Sequence, residues 1–200
     1  MRAATGAVVT DPPAALRHPL PPSLRADIVS LSRADDAVDL ATLGVAGQPF
    51  VIRGPGEYEA HGIFVIAVEG HPADAGGKHA AGGTLYCYDF PGLTVCHLGN
   101  LGRKLSQGQL EALGDVHVLL LPVGLPGTLS PTVAVEVVNQ IDPAIVVPMY
   151  HPPVAAEPGS ALGKFLNEIG AADATPRNQL RIDPARLPEE PQVMLLNAAA

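Results

Sequence analysis

The chain has 200 residues, of which 47% are hydrophobic and only 16% charged, so it can bury a sizeable core and lacks the charge-rich composition of a disordered chain. A net charge of −8, with twelve Lys and Arg scattered along the sequence, leaves no basic face for nucleic acid. The longest apolar run, around 116–123, is too short to cross a bilayer, and residues 1–10 lack the apolar stretch of a secretory signal, so the expectation is a soluble cytoplasmic protein with one domain over residues 1–200.

The first half reads as strands. Short apolar or alternating runs at 6–10, 27–32, 49–53, 62–68, 84–89 and 93–97 are each bounded by Gly, Pro or Asp. Phe90-Pro91-Gly92 makes a tight hairpin connection, and Gly54-Pro55-Gly56 a turn that leads into Glu57-Tyr58-Glu59. Cys87 and Cys96 sit inside apolar runs and read as buried thiols. The second half alternates. Ser106 caps a helix to Leu113 that Gly114 closes, and a continuous apolar strand follows at 116–122. Ser130 and Pro131 start a helix to about Ile141, then comes a buried strand at 144–149. Ser160 caps a third helix to Ile169, closed by Gly170, and 192–196 reads as a last strand. Strands followed by strand–helix units point to a layered α/β sandwich.

The segment Leu93-Thr94-Val95-Cys96-His97-Leu98-Gly99-Asn100 carries the most chemistry. An apolar strand ends in a histidine and then delivers a polar side chain at its C-terminal tip, where α/β proteins keep their sites. His97 reads as a structural residue bonded to a loop or sheet edge. Asn100 is neutral where an aspartate would be a metal ligand or base. His117 reads as a core histidine paired with a backbone carbonyl, inside the buried strand.

Four segments in order, Gly54-Pro55-Gly56-Glu57-Tyr58-Glu59, His97-Leu98-Gly99-Asn100-Leu101-Gly102, Leu119-Leu120-Leu121-Pro122-Val123-Gly124 and Val146-Val147-Pro148-Met149-Tyr150-His151, resemble metallo-β-lactamase-fold hydrolases, in the branch related to ascorbate-6-phosphate lactonase. The resemblance implies an αββα four-layer sandwich with a metal site at one edge between two sheets. It also implies ligands from a His-x-His-x-Asp-His segment, a middle histidine, an aspartate and a final histidine. Such imidazoles and carboxylates hold one or two zinc ions that ionise a bound water. Carried over position by position, the first segment gives Arg33, Asp35, Ala37 and Val38 in place of its ligands. The middle histidine is retained as His71, with His79 nearby; the aspartate is replaced by Asn100; the final histidine falls at Tyr150, with His151 one place later. Thr10-Asp11-Pro12 resembles the family's Asp-Pro turn, which implies that an initial hairpin is missing and that a strand edge stands open to pairing.

The pocket implied is therefore Arg33, Asp35, His71, His97, Asn100, Tyr150 and His151. No catalytic residue is assigned and no cofactor is expected; if a metal is held, His71, His151 and Asp35 are its ligands. Asp35 and Asp36 also read as a solvated helix start, and Arg33 as an ion-pair partner of Asp35 or Asp11. The leading expectation is a non-catalytic binding or structural subunit that has lost its zinc pair, working as a homo-oligomer or beside a paralogous subunit. Two alternatives stand beside it. One is a hydrolase of a small ester, lactone or phosphorylated sugar with a rebuilt mononuclear zinc or metal-free site on His71, His97, His151 and Asp35. The other is a small-anion sensor using Arg33.

Overall fold

A computed structural model describes residues 1–12, 24–33, 45–71, 83–149 and 159–197. Three strands, β1 (Val8–Thr10), β2 (Ile28–Leu31) and β3 (Phe50–Arg53), form a parallel sheet in that order. The chain then crosses at Gly54-Pro55 into a second sheet through β4 (Gly56–Ala60), β5 (Ile63–Gly70), β6 (Gly83–Phe90), β7 (Leu93–His97), β8 (Val118–Pro122), β9 (Ile145–Met149) and β10 (Gln192–Val193). Its order is β10-β9-β8-β7-β6-β5-β4, antiparallel from β4 to β7 and parallel from β7 to β10. Helices α1 (Gln107–Leu113), α2 (Pro131–Ile141) and α3 (Ala161–Glu168) start at the three expected serines, each side chain accepting the backbone N–H of the residue three positions on. Ser106 and Gln109 complete a reciprocal capping box.

Strand pleating sorts the large sheet's side chains between two cores. Cys87, Cys96, Leu98, Leu119 and Leu121 face one way and pack with α2 and α3 residues such as Val137 and Phe165. Tyr86, Tyr88, Val95, Val118 and Val147 face the other way and pack on Val8, Ile28 and Ile52 of the small sheet. Both cysteines are free, buried and opposite one another on β6 and β7; burial, and then the facing thiol, push the Cys96 thiol well above its usual range.

Three findings differ from the sequence reading. Residues 56–60 form a strand, β4, where only a turn leading into three residues is expected. Its alternation of Glu57, Tyr58 and Glu59 suits a sheet edge that is wet on one side. His117 lies just before β8, and its Nδ1 accepts the Thr94 amide N–H at 3.0 Å, so its partner is a donor and not a carbonyl. The outer edge of β1 is partly paired: Arg2 bridges Ala7 antiparallel, and the Val8 N–H donates to the Met1 carbonyl. No described helix is long and apolar enough to cross a membrane.

Candidate functional site

The site lies where the C-terminal ends of β1 and β2 meet the tip of β7. Period-two alternation along β2 turns Val29 and Leu31 away and aims Ile28, Ser30 and Ser32 at the large sheet. Ser30 Oγ shares a short hydrogen bond with the Tyr88 hydroxyl, and Tyr86 donates to the Leu31 carbonyl at 2.7 Å. The two tyrosine rings stack at 6.2 Å. Burial pushes the Tyr86 phenol up to about 12 and holds Tyr88 neutral as well. These bonds fix β2 against β6 and so fix the height of everything at its end.

Asp11 follows β1 in a left-handed conformation (φ 43°), which an aspartate tolerates and which turns its carboxylate back across the strand ends. Its amide donates to the Ser30 carbonyl at 2.9 Å, its Oδ1 accepts the Ser32 N–H at 2.6 Å, and its Oδ2 lies 3.9 Å from Nε2 of His97. His97 is buried. Its Nδ1 accepts the Gly99 N–H at 3.1 Å, so the ring's proton sits on Nε2, facing Asp11. Burial lowers the His97 pKa, outweighing the Asp11 charge that acts to raise it. Gly99 turns at φ 50° directly over Ser32 and the Thr84 carbonyl. The Ser32 carbonyl in turn accepts from the Thr84 N–H at 2.8 Å, and Arg33 bridges Gly83. The buried Ser32 hydroxyl has no hydrogen-bond partner among the described residues.

The residues singled out from the sequence distribute as follows. Arg33 is exposed at the end of β2, while Asn100 and His71 are half-buried. The His71 carbonyl accepts the Gly102 N–H at 3.0 Å, which ties the end of β5 to the loop after β7. Arg33, His97, Asn100 and His71 thus stand on segments that the backbone joins together. Asp35, His79, Tyr150 and His151 lie outside the described residues. Ser32 and Gly99 are participants that the sequence reading leaves unassigned, and Asp11 enters that reading only as an ion-pair partner of Arg33 and as part of the Asp-Pro turn. The signal for the serine was present: two serines alternating through an apolar strand is an unusual use of core-facing positions.

A two-zinc centre asks for several neutral imidazoles and carboxylates within about 2 Å of each ion. Among the described residues no three His, Cys, Asp or Glu side chains gather. His97 spends one ring nitrogen on Gly99, and the other carries its proton; Asp11 is bound to the Ser32 amide; Arg33 is a permanent cation; and Asn100 is a neutral amide. The described donors do not fit such a centre. What they offer is the exposed Arg33 at the end of β2 and a hydrogen-bonded set in which the Asp11 carboxylate faces a neutral His97.

A family model described as "Beta-lactamase superfamily domain" matches residues 1–150. A UPF0173 metal-dependent hydrolase of Thermococcus onnurineus is 30% identical over 108 residues, 52% of this chain and 48% of its own length. Its counterpart in Thermococcus kodakarensis is 29% identical over 127 residues, 61% and 53%. The chain therefore spans about half the length of these curated relatives. A Thermotoga maritima structure described as a Zn-dependent hydrolase of the metallo-beta-lactamase superfamily superposes with a TM-score of 0.71 at 27% identity, covering 95% of this chain and 89% of that one. Igni18, a metallo hydrolase of Ignicoccus hospitalis, shares the fold at a TM-score of 0.52 and 20% identity over 74% of this chain and 73% of its own. With three quarters of its length matched by the family model and its two-sheet architecture matched by these structures, the chain belongs to the beta-lactamase superfamily and has the metallo-β-lactamase fold of metal-dependent hydrolases.

Proposed function

We propose that this chain is a member, in the branch related to ascorbate-6-phosphate lactonase, that has given up the dinuclear zinc site and serves as a binding or structural subunit, as a homo-oligomer or beside a paralogous partner. The observation that carries the reading is Arg33, a permanent cation at the end of β2, where the family pattern has its first histidine. A dication beside a guanidinium is repelled, and the guanidinium stands where a ligand imidazole would otherwise be. Asn100 adds to the effect by withholding the negative charge that would bridge two cations. The protein purified without chelator is expected to carry zinc far below one equivalent, and its melting temperature is expected not to change on adding a chelator. Stoichiometric zinc that stabilises the fold would overturn the reading.

The relatives' description as metal-dependent hydrolases favours a second reading, a hydrolase with a rebuilt site on His71, His97, His151 and Asp35. It requires turnover of a small ester, lactone or phosphorylated sugar that His71→Ala abolishes without changing the melting temperature. The first reading expects no such turnover.

A further inference from the structure

A cavity of about 580 Å³ lies at the other end of the small sheet, away from the cluster just described. Its walls come from the residues immediately before β1, β2 and β3 (Gly6-Ala7, Arg25 to Asp27 and Ala46 to Gln48), together with Arg2 and His61. Its volume falls within the range of small-molecule sites.

The lining chemistry is unusual for a chain of net charge −8. Two guanidiniums, Arg2 and Arg25, and one imidazole, His61, border the same space. Neither arginine side chain has an ion pair or hydrogen bond with other described residues. The single carboxylate in the wall, Asp27, has its Oδ2 occupied by the Ala7 N–H at 2.7 Å. A second observation points to the same place. His61 and Gly62 alone connect β4 to β5, both with positive φ (54° and 71°), the geometry of a two-residue hairpin turn that favours Asn-Gly. An imidazole stands where asparagine would be less strained, and it stands on the cavity wall.

We propose that this cavity is a second, oxyanion-binding site, which takes the phosphoryl group of a small phosphorylated molecule between Arg2, Arg25 and His61. The planar fork of Arg25 suits bidentate phosphate recognition, and Gln48 in the lining carries a neutral amide donor. The inference does not rest on the fate of the zinc site, which is at the opposite strand ends.

The probe is inorganic phosphate titrated into the intact chain at constant ionic strength, followed by two-dimensional amide spectra and thermal melts. Saturable shifts are expected at Ala46, Gly47, Gln48 and Gly62, with a rise in melting temperature. Arg25→Ala and His61→Asn should each weaken binding about fivefold or more, as expected for loss of one charge-assisted contact. Asparagine keeps the turn, so His61→Asn remains informative if the arginine variant does not fold. Arg33→Ala should leave binding unchanged. Shifts confined to Ser32, Arg33, Gly99 and Asn100, equal binding by Arg25→Ala and His61→Asn, or no saturation at all would each overturn the proposal.

Discussion

Among the described glycines, Gly99 has the least room for a side chain. A Cβ at this position would sit 2.6 Å from Ser32 Oγ, 2.8 Å from Ser32 Cβ and 2.9 Å from the Thr84 carbonyl oxygen, on a backbone that already has φ 50°. The Ser32 hydroxyl could rotate away, but Ser32 Cβ and the Thr84 carbonyl are held by the backbone. Gly99→Ala should therefore cost about 3 kcal/mol or more, combining overpacking with left-handed strain, and chemical denaturation measures it directly. Ser32→Gly in the same chain should recover part of the loss, because it removes two of the three contacts. His97 carries the pH dependence of this corner. It is neutral in the fold with a lowered pKa, while the unfolded chain protonates near 6.5, so the unfolded state binds more protons between the two values. Stability from this residue is complete above about pH 6.5 and is lost as pH falls through the lower folded value, at no more than about 1.4 kcal/mol per pH unit. His97→Gln should flatten that acid limb in urea melts. It should also cost about 1–3 kcal/mol at pH 8, because the buried Gly99 N–H loses its acceptor.

Between elements, the bonds from β2 to the two β6 tyrosines do what packing alone would not, because they set one sheet's register against the other. Removing either the Ser30 hydroxyl or the Tyr88 hydroxyl leaves the other buried and unpaired, at about 1–3 kcal/mol. The double variant Ser30→Ala with Tyr88→Phe should cost less than the sum of the singles, and a coupling below about 0.5 kcal/mol in that cycle would show that the bond contributes little. Such a cross-sheet pairing is invisible in sequence, where Ser30 and Tyr88 are 58 residues apart. The elements themselves are far more legible. Serine caps with prolines or glycines at the ends fix three helices within a residue or two, and continuous apolar runs fix β8 and β9. β4 escapes because an edge strand needs only one apolar face, and Tyr58 alone supplies most of it. At the site, the ends of the strands are legible from their polar tips. The Asp11–Ser32–Gly99 contacts are not, since each is made by backbone atoms whose partners only the topology brings near.

Across the whole molecule, a three-stranded sheet faces a seven-stranded one, and three strands cannot cover seven. The uncovered part of the inter-sheet face is closed by the C-terminal segment, where Leu180, Ile182, Leu187, Met194 and Leu196 pack on the cluster that contains Val95, Val118, Ile145 and Val147. Most of this segment is irregular, with only a 3₁₀ turn at Pro184–Arg186 and the two residues of β10. Its backbone anchor to the sheet is β10, where the Gln192 N–H donates to the Ala144 carbonyl and the Met194 N–H to the Val146 carbonyl, while the Arg177 N–H donates to the Leu195 carbonyl and ties the segment to itself. The segment lies beyond residue 150, where the family model's match ends. Cutting the chain after Gly170 should then leave several apolar side chains of the large sheet in water, each worth about 1.5–3 kcal/mol when fully buried, against a total stability of only about 5–15 kcal/mol. The shortened chain should lose its cooperative melt and bind a hydrophobic dye. The double substitution Leu180→Asp with Ile182→Asp in the full chain should produce the same change in milder form. A shortened chain that melts cooperatively within a few degrees of the full one would show that the small sheet suffices and that the segment is only an appendage.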